Sequence, residues 1–243
     1  MKRILLVGRA GNGLTSCVQS INKVQPGCRP IEIYALECPG VGDKGEDRRE
    51  SIESTRNNLK EIIKAYDKDG GIDAIALVLK YGVRFTKQEK DAVEEVKLMF
   101  GANVFQEHGI IIMTYGDLFE GYDVGKENYF IDWASEQRGD IEKLFQDVQT
   151  RVYLFDNKAD NIQKRREQVE HLSQCFMHFR KPYTLEDFEK ASQLDIDSIF
   201  GQANPKCQFL LCLQKHFKII MGFLFLFFIL CLIILFCDLY VIK

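Results

Sequence analysis

The sequence predicts an α/β fold, a mostly parallel sheet with helices on both faces, and three observations carry that prediction. Apolar runs of strand length alternate with segments of helical periodicity through residues 3–179. The first such run ends in a glycine-rich turn, Gly8-Arg-Ala-Gly-Asn-Gly13, that leads into a helical pattern. Residues 72–79 form a run that is apolar at every position except Asp73, the pattern of a strand buried on both faces.

Taken in order, residues 3–7 are the first strand and residues 15–22 the helix after the glycine turn. Residues 31–36 read as the second strand, closed by Cys38-Pro39-Gly40, and residues 51–66 as a polar helix with Leu59, Ile62 and Ile63 on one side. After the 72–79 strand, Thr86-Lys-Gln-Glu89 is a capping box that opens a helix to residue 100, with Val93, Val96 and Phe100 on one stripe. Residues 109–113 form another buried strand, 141–148 a helix, 152–155 a strand and 159–179 a long charged helix. From residue 182 to about 216 no strand pattern occurs, so residues 182–218 are expected to be a helical or flexible stalk beyond a domain of residues 1–181.

With 243 residues, 46% hydrophobic and 28% charged, the chain can bury one sizeable core, which excludes a disulfide miniprotein and a disordered chain. Its 32 basic and 35 acidic side chains are interspersed, so no excess of cations marks a nucleic-acid binder. The eight cysteines are scattered and no secretory leader is expected from the first apolar run, so they read as reduced, cytosol-facing thiols.

Residues 219–237 are nineteen consecutive uncharged residues, fifteen of them Leu, Ile or Phe. As a helix this stretch spans about 30 Å, the thickness of a bilayer's hydrocarbon core. The fifteen strongest residues alone contribute roughly -5 to -9 kcal/mol to insertion. A transmembrane helix is the expectation. Lys206, Lys215 and Lys218 precede it whereas only Lys243 follows, which places the N-terminal domain in the cytosol and residues 238–243 as a short lumenal tail. So short a tail implies post-translational, tail-anchored insertion, with the endoplasmic reticulum and connected membranes favoured over the mitochondrial outer membrane.

The chemistry is concentrated at the strand ends. Gly8, Arg9, Ala10, Gly11, Asn12, Gly13, Leu14 and Thr15 fit the phosphate-loop pattern G-x-x-x-x-G-K-[ST] except that Leu14 stands where the lysine belongs, and Ser16 follows. The glycines let backbone N–H groups curl around phosphate oxygens, and the Thr15 hydroxyl can face Mg2+. By itself a glycine-rich turn is equally consistent with plain structure. Glu37-Cys-Pro-Gly40, however, ends the second strand like an element in which a carboxylate holds Mg2+ and a glycine N–H meets the terminal phosphate. Thr114-Tyr115-Gly-Asp117 follows a buried strand in the manner of a guanine-reading loop, whose aspartate accepts from N1 and the exocyclic amine. Asn157, in Phe155-Asp-Asn-Lys158, ends the last strand where a further base contact belongs. Four loops in this order are far more specific than any one of them.

The stretch Leu77-Val-Leu-Lys-Tyr-Gly-Val-Arg-Phe-Thr-Lys-Gln-Glu-Lys-Asp-Ala-Val-Glu-Glu-Val-Lys-Leu-Met-Phe-Gly101 resembles the characteristic box of the GTPases of immunity-associated proteins, the GIMAP family. Ile110-Ile-Ile-Met-Thr-Tyr-Gly-Asp-Leu-Phe-Glu-Gly121 and Arg151-Val-Tyr-Leu-Phe-Asp-Asn-Lys158 are similar to that family's next landmarks. The resemblance covers roughly residues 3–180. It implies a Ras-like P-loop GTPase fold, GTP or GDP with Mg2+ as ligands, and homo- or hetero-oligomers formed through the nucleotide domain, often on membranes.

Three departures from the family pattern bear on mechanism. Leu14 removes the lysine that meets the β- and γ-phosphates, and a charged hydrogen bond is worth about 1.5–3 kcal/mol, roughly ten- to 150-fold in affinity. Only twenty-one residues separate Thr15 from Glu37, and residues 23–30 contain no threonine for a Mg2+-binding switch loop. Glu37 replaces an aspartate. Weak binding with slow or absent hydrolysis follows, with no residue assigned a catalytic role. A nucleotide-free pseudo-GTPase that serves as a protein-interaction module is the alternative. An ATP-dependent kinase is disfavoured by Asp117 and by the lack of a catalytic-base motif.

Other candidates are weaker. Asp67-Lys-Asp-Gly-Gly71 begins like a calcium loop but has Val78 at the twelfth position, where a glutamate is required. His171, Cys175 and His178 have helical spacing without a fourth metal ligand. Cys207 and Cys212 are candidates for palmitoylation, and Cys17 and Cys38 have no neighbouring histidine to activate them.

Deletion of residues 217–243 is expected to convert a membrane-associated protein into a cytosolic one on cell fractionation. A glycosylation acceptor appended after Lys243 is expected to be modified; an acceptor that stays unmodified would place the tail elsewhere.

Overall fold

Ile4, Leu5, Leu6 and Val7 are consecutive and completely buried, so the first strand has to be covered on both faces. The computed structural model, which describes residues 1–24, 32–38, 41, 48–119 and 127–192, shows how. Strand β1 (Lys2–Val7) lies inside a five-stranded sheet of order β2-β1-β3-β4-β5, with β2 (Ile33–Cys38), β3 (Ala74–Lys80), β4 (Gly109–Thr114) and β5 (Val152–Leu154). Every ladder is parallel, with Leu6 opposite Glu37, Val7 opposite Leu77, Lys80 opposite Thr114 and Met113 opposite Leu154. Parallel strands need crossovers, and the helices supply them.

The helices are α1 (Leu14–Asn22), α2 (Arg48–Asp67), α3 (Lys87–Phe100), a single turn α4 (Val104–Glu107), α5 (Glu127–Glu136), α6 (Asp140–Asp147), α7 (Ile162–Ser173) and α8 (Leu185–Ser192). One sheet face packs Ile4, Leu6, Val78, Ile110 and Ile112 against Cys17 and Ile21 of α1 and Val169 and Leu172 of α7. The alternate side chains, among them Leu5, Ile75, Leu77 and Ile111, are equally buried on the opposite face. There α2, α3 and α8 pack on one another through residues such as Leu59, Met99 and Phe188. Because all five strands point the same way, their carboxyl ends deliver the loop that follows each strand to one edge of the sheet.

The structure redraws several expected boundaries. Residues 159–179 are not one helix: the Asn161 side chain caps α7 by accepting from the Gln163 N–H at 2.8 Å, and a 3-10 turn, Gln174–Met177, follows. That tightening inserts Cys175 and Phe176 into the core. Strand β2 continues through Cys38, so Glu37 is a strand residue. Residues 182–192, expected as the start of a stalk, belong to the folded unit Met1–Leu194. Tyr183 bridges antiparallel to Ile72 and donates its hydroxyl to the Phe100 carbonyl at 2.9 Å, and Phe188 is 1% exposed. Aromatic anchors, which a search for strand periodicity passes over, hold this segment down. Helices α4 and α5 were not anticipated. The rest of the expected stalk, the 219–237 helix and the 238–243 tail lie outside the described residues, among which no helix is long and apolar enough to cross a membrane.

His108 closes α4 in a buried position, 3% exposed, stacked on Phe179 and edge-on to Tyr183, with Nδ1 lacking a partner among the described residues. Burial pushes its pKa below the ordinary 6.5; the Glu107 and Asp187 carboxylates oppose the shift, while Lys181 and Arg151 add to it. The unfolded chain therefore takes a proton that the folded one refuses, so this contribution to stability is intact above the ordinary value and declines as pH falls below it. The urea midpoint is expected to drop between about pH 7.5 and about pH 5.5, and the drop to shrink in His108→Phe.

Candidate functional site

The loop between β1 and α1 is shaped by contacts with β3. A Cβ on Gly8 would lie 2.8 Å from the Val78 carbonyl oxygen, so only glycine allows the two backbones this close. Asn12, buried, donates its Nδ2 to that same carbonyl at 3.0 Å. Arg9 is held by Glu89 at 3.2 Å, and Glu89 in turn accepts the Thr86 N–H at 3.1 Å and the Thr86 hydroxyl. Burial alone would raise the Glu89 pKa; the Thr86 hydrogen bonds and the Arg9 charge outweigh it and hold the carboxyl below its usual range. The capping box expected for α3 thus also fastens the glycine loop.

Gly13 then turns the chain into α1 with φ of 80°, in the left-handed region. No side chain caps this helix and no acidic residue occupies its first turn, so its N-terminal N–H groups and the positive end of its dipole are left for an anion. Ala10, Gly11, Thr15 and Ser16 are exposed around it. Leu14 is not: its side chain is 8% exposed and belongs to the hydrophobic cluster beneath α1. Only its backbone faces the loop's task.

The base-type loops converge on this loop. The buried Thr114 hydroxyl donates to the Asn12 carbonyl at 2.6 Å, with the Leu79 carbonyl 3.2 Å from the same oxygen. Tyr115 adopts a left-handed backbone, φ 61°, and its hydroxyl stands 3.5 Å from the Gly11 carbonyl. Lys80 places its ammonium 4.2 Å above the Tyr115 ring. Gly116 N–H donates to the Phe155 carbonyl at 2.9 Å, joining this loop to the one after β5. There Asn157 donates Nδ2 to the Gly13 carbonyl at 3.3 Å, while its buried Oδ1 has no donor among the described residues. Asp156 stiffens the turn by accepting from the Lys158 N–H at 2.9 Å and from the Lys164 ammonium at 2.8 Å. Asp117 accepts from Lys158 at 2.7 Å, and that hydrogen bond and charge raise the lysine's pKa above its ordinary value.

Glu37 stands opposite Leu6 near the end of β2 and shares strand parity with Ile33 and Ala35, which face the α1 side. Its Oε2 is buried without a partner among the described residues. A buried carboxylate oxygen without a donor suits a cation, so Glu37 and the exposed Thr15 hydroxyl fit the hard oxygen ligands that Mg2+ takes. Gly40 lies outside the described residues.

Sequence reading located Gly8 to Gly13, Thr114, Tyr115, Asp117 and Asn157, and the structure brings these loops together. It missed the Arg9–Glu89 pair, Lys80 above Tyr115, and the competition of Lys158 for Asp117. Glu89 carried a legible signal in its capping box; the lysines carried none. Burial pushes the Cys38 thiol up to about 12 and raises Cys17 and Cys175 as well, so none of these is a ready nucleophile. No group of three or more His, Cys, Asp or Glu side chains that could hold a metal ion, around His171 or elsewhere, occurs among the described residues.

The AIG1 family model matches residues 33–199, a span that includes Glu37, Thr114, Asp117 and Asn157. Immune-associated nucleotide-binding protein 8 of Arabidopsis thaliana is 26% identical over 210 residues, covering 76% of this chain and 56% of its own. Immune-associated nucleotide-binding protein 5 of the same plant is 28% identical over 189 residues, 71% of this chain and 58% of its own. The chain thus spans about half the length of the curated relatives it matches. A crystal structure of Toc33 from Arabidopsis thaliana in complex with GDP and Mg2+ aligns with a TM-score of 0.48 at 17% identity, over 76% of this chain and 87% of that one.

Thr114→Val keeps the shape but leaves the buried Asn12 carbonyl without its hydroxyl donor. The substitution is expected to lower unfolding free energy by about 1–3 kcal/mol, read from urea titration.

Proposed function

The chain belongs to the AIG1 family, and from that premise we propose that it is a membrane-held guanine-nucleotide-binding switch or scaffold with weak affinity and slow or absent GTP hydrolysis. The observation that carries this reading is the junction of the glycine loop with both base-type loops, through Thr114 to Asn12 and Asn157 to Gly13. Phosphate and base would then occupy one continuous site. The bare start of α1 and the loop N–H groups take the phosphates, Asp117 accepts from the guanine edge, and Tyr115 offers a ring for the base. Asn157 Oδ1, buried and without a donor among the described residues, can accept one from a bound nucleotide, while Asp117 accepts the donor pair that guanine has and adenine lacks. Mg2+, held by Thr15 and Glu37, would neutralise phosphate charge when bound. Oligomerisation through this domain and anchoring by residues 219–237 belong to the same proposal.

Hydrolysis is expected to suffer more than binding. The loop's own cation, Arg9, is engaged by Glu89, and Leu14 puts a leucine into the core where a lysine would reach the phosphates. With a lysine and a switch threonine both missing, charge stabilisation and water positioning are incomplete in the transition state. Burial of Leu14 also favours a second reading, the nucleotide-free interaction module, because the side chain at the loop's central position serves packing instead of charge.

Calorimetry on the full chain separates the two: GDP or GTP is expected to bind in preference to ATP, and Asp117→Ala to erase the preference. Equal affinity for both nucleotides would overturn guanine selectivity, and no heat with either at millimolar concentration would favour the nucleotide-free interaction module instead.

Leu14→Lys tests the lost charge. GDP affinity is expected to rise by about one to two orders of magnitude, equivalent to about 1.5–3 kcal/mol, while single-turnover GTP hydrolysis stays negligible. Thermal stability is expected to fall, because most of a buried leucine is given up. Unchanged affinity in a folded variant would mean that the loop does not cradle phosphate.

A further inference from the structure

A groove of about 590 Å3 opens between the loop after β3 and the α5–α6 corner, and no residue of the nucleotide site lines it. Its volume is within the range of pockets that bind ligands or inserted side chains. Phe85, Met113, Trp133 and Ile141 give it apolar walls. Trp133 is fixed there by Tyr81 at 5.0 Å and by Phe130, stacked at 5.3 Å. Val83 also lines the groove and is 52% exposed, adding apolar surface beside the aromatic walls.

The rim is cationic. Lys90 is neutralised by Asp140, but Arg84 and Arg138 are exposed and neither has a carboxylate partner among the described residues. Among the described residues Arg138 donates only to the Ser135 and Gln137 carbonyls, which orient its guanidinium without cancelling its charge. Two uncompensated guanidinium groups above aromatic walls match an occupant that carries carboxylates beside a ring or large apolar group.

We propose that this groove docks an acidic segment of a partner protein, with one aromatic or large apolar side chain inserted beside Trp133 and flanking carboxylates on Arg84 and Arg138. The apolar side chain removes Val83 and the aromatic walls from water, and the carboxylates supply specificity and orientation. Tyr81 links the groove to the neighbouring loops, since it touches Trp133 and its N–H donates to the Thr114 carbonyl at 3.0 Å. The proposal stands whether or not nucleotide binds.

Trp133 is the only tryptophan in the chain, so its emission reports on this groove directly. The probe is a capped pentapeptide with phenylalanine between pairs of acidic residues, titrated to about 1 mM into the full chain in nonionic detergent. A saturable change in emission is expected. Replacing the peptide's carboxylates by amides is expected to weaken binding at least tenfold. Arg84→Glu combined with Arg138→Glu is expected to do the same, and Arg138→Gln to weaken binding by a smaller factor in a chain with an unchanged circular dichroism spectrum. No saturable change, equal binding of the amide peptide, or unaltered affinity after charge reversal would overturn the proposal. An emission change driven by protein concentration alone would assign the groove to a second copy of the chain and overturn it too.

Discussion

A single buried hydrogen bond, from the Thr114 hydroxyl to the Asn12 carbonyl at 2.6 Å, ties the end of β4 to the glycine loop that leaves β1. These segments are separated by 102 residues and meet because β3 lies between their strands. The same strand supplies the Val78 carbonyl that receives the Asn12 amide and stands against Gly8. Loop shape is therefore imposed from β3 and β4. A loop built this way keeps its backbone donors in place at little entropic cost.

That packing gives the loop its form without a charged side chain at its central position. Leu14 occupies the first position of α1, where its backbone N–H still belongs to the uncapped helix start while its side chain joins the core. Shape and charge have separated. The remaining cations near the site are committed locally: Arg9 to Glu89, Lys80 to the Tyr115 ring and Lys158 to Asp117. Under the proposed function, backbone dipoles and one helix terminus are left as the principal attraction for phosphate.

The loop after β3 faces two ways. Lys80 lies over Tyr115 of the base-type loop, and the next residue, Tyr81, packs on Phe119 and Trp133. Adjacent residues on a strand end point to opposite sides, so one turn of backbone serves both the candidate site and the aromatic layer around α5 and α6. The exposed Val83 and Arg84 continue from that layer to the surface.

Periodicity alone determined the alternating strands and helices, because a strand buried on both faces leaves an unbroken apolar run such as Ile4 to Val7 or Ala74 to Leu79. Turn chemistry located the glycine loop, and residue type at strand ends located Thr114, Asp117 and Asn157. Periodicity could not show that residues 182–192 belong to the fold, since Tyr183 and Phe188 hold them by isolated contacts with Ile72 and Phe100. Nor could a sequence show whether Leu14 faces phosphate or core, whether Arg9 is free, or that Arg84 and Arg138 share a rim. Each of those is a matter of which side chains meet across elements distant in sequence, and only the tertiary packing decides it.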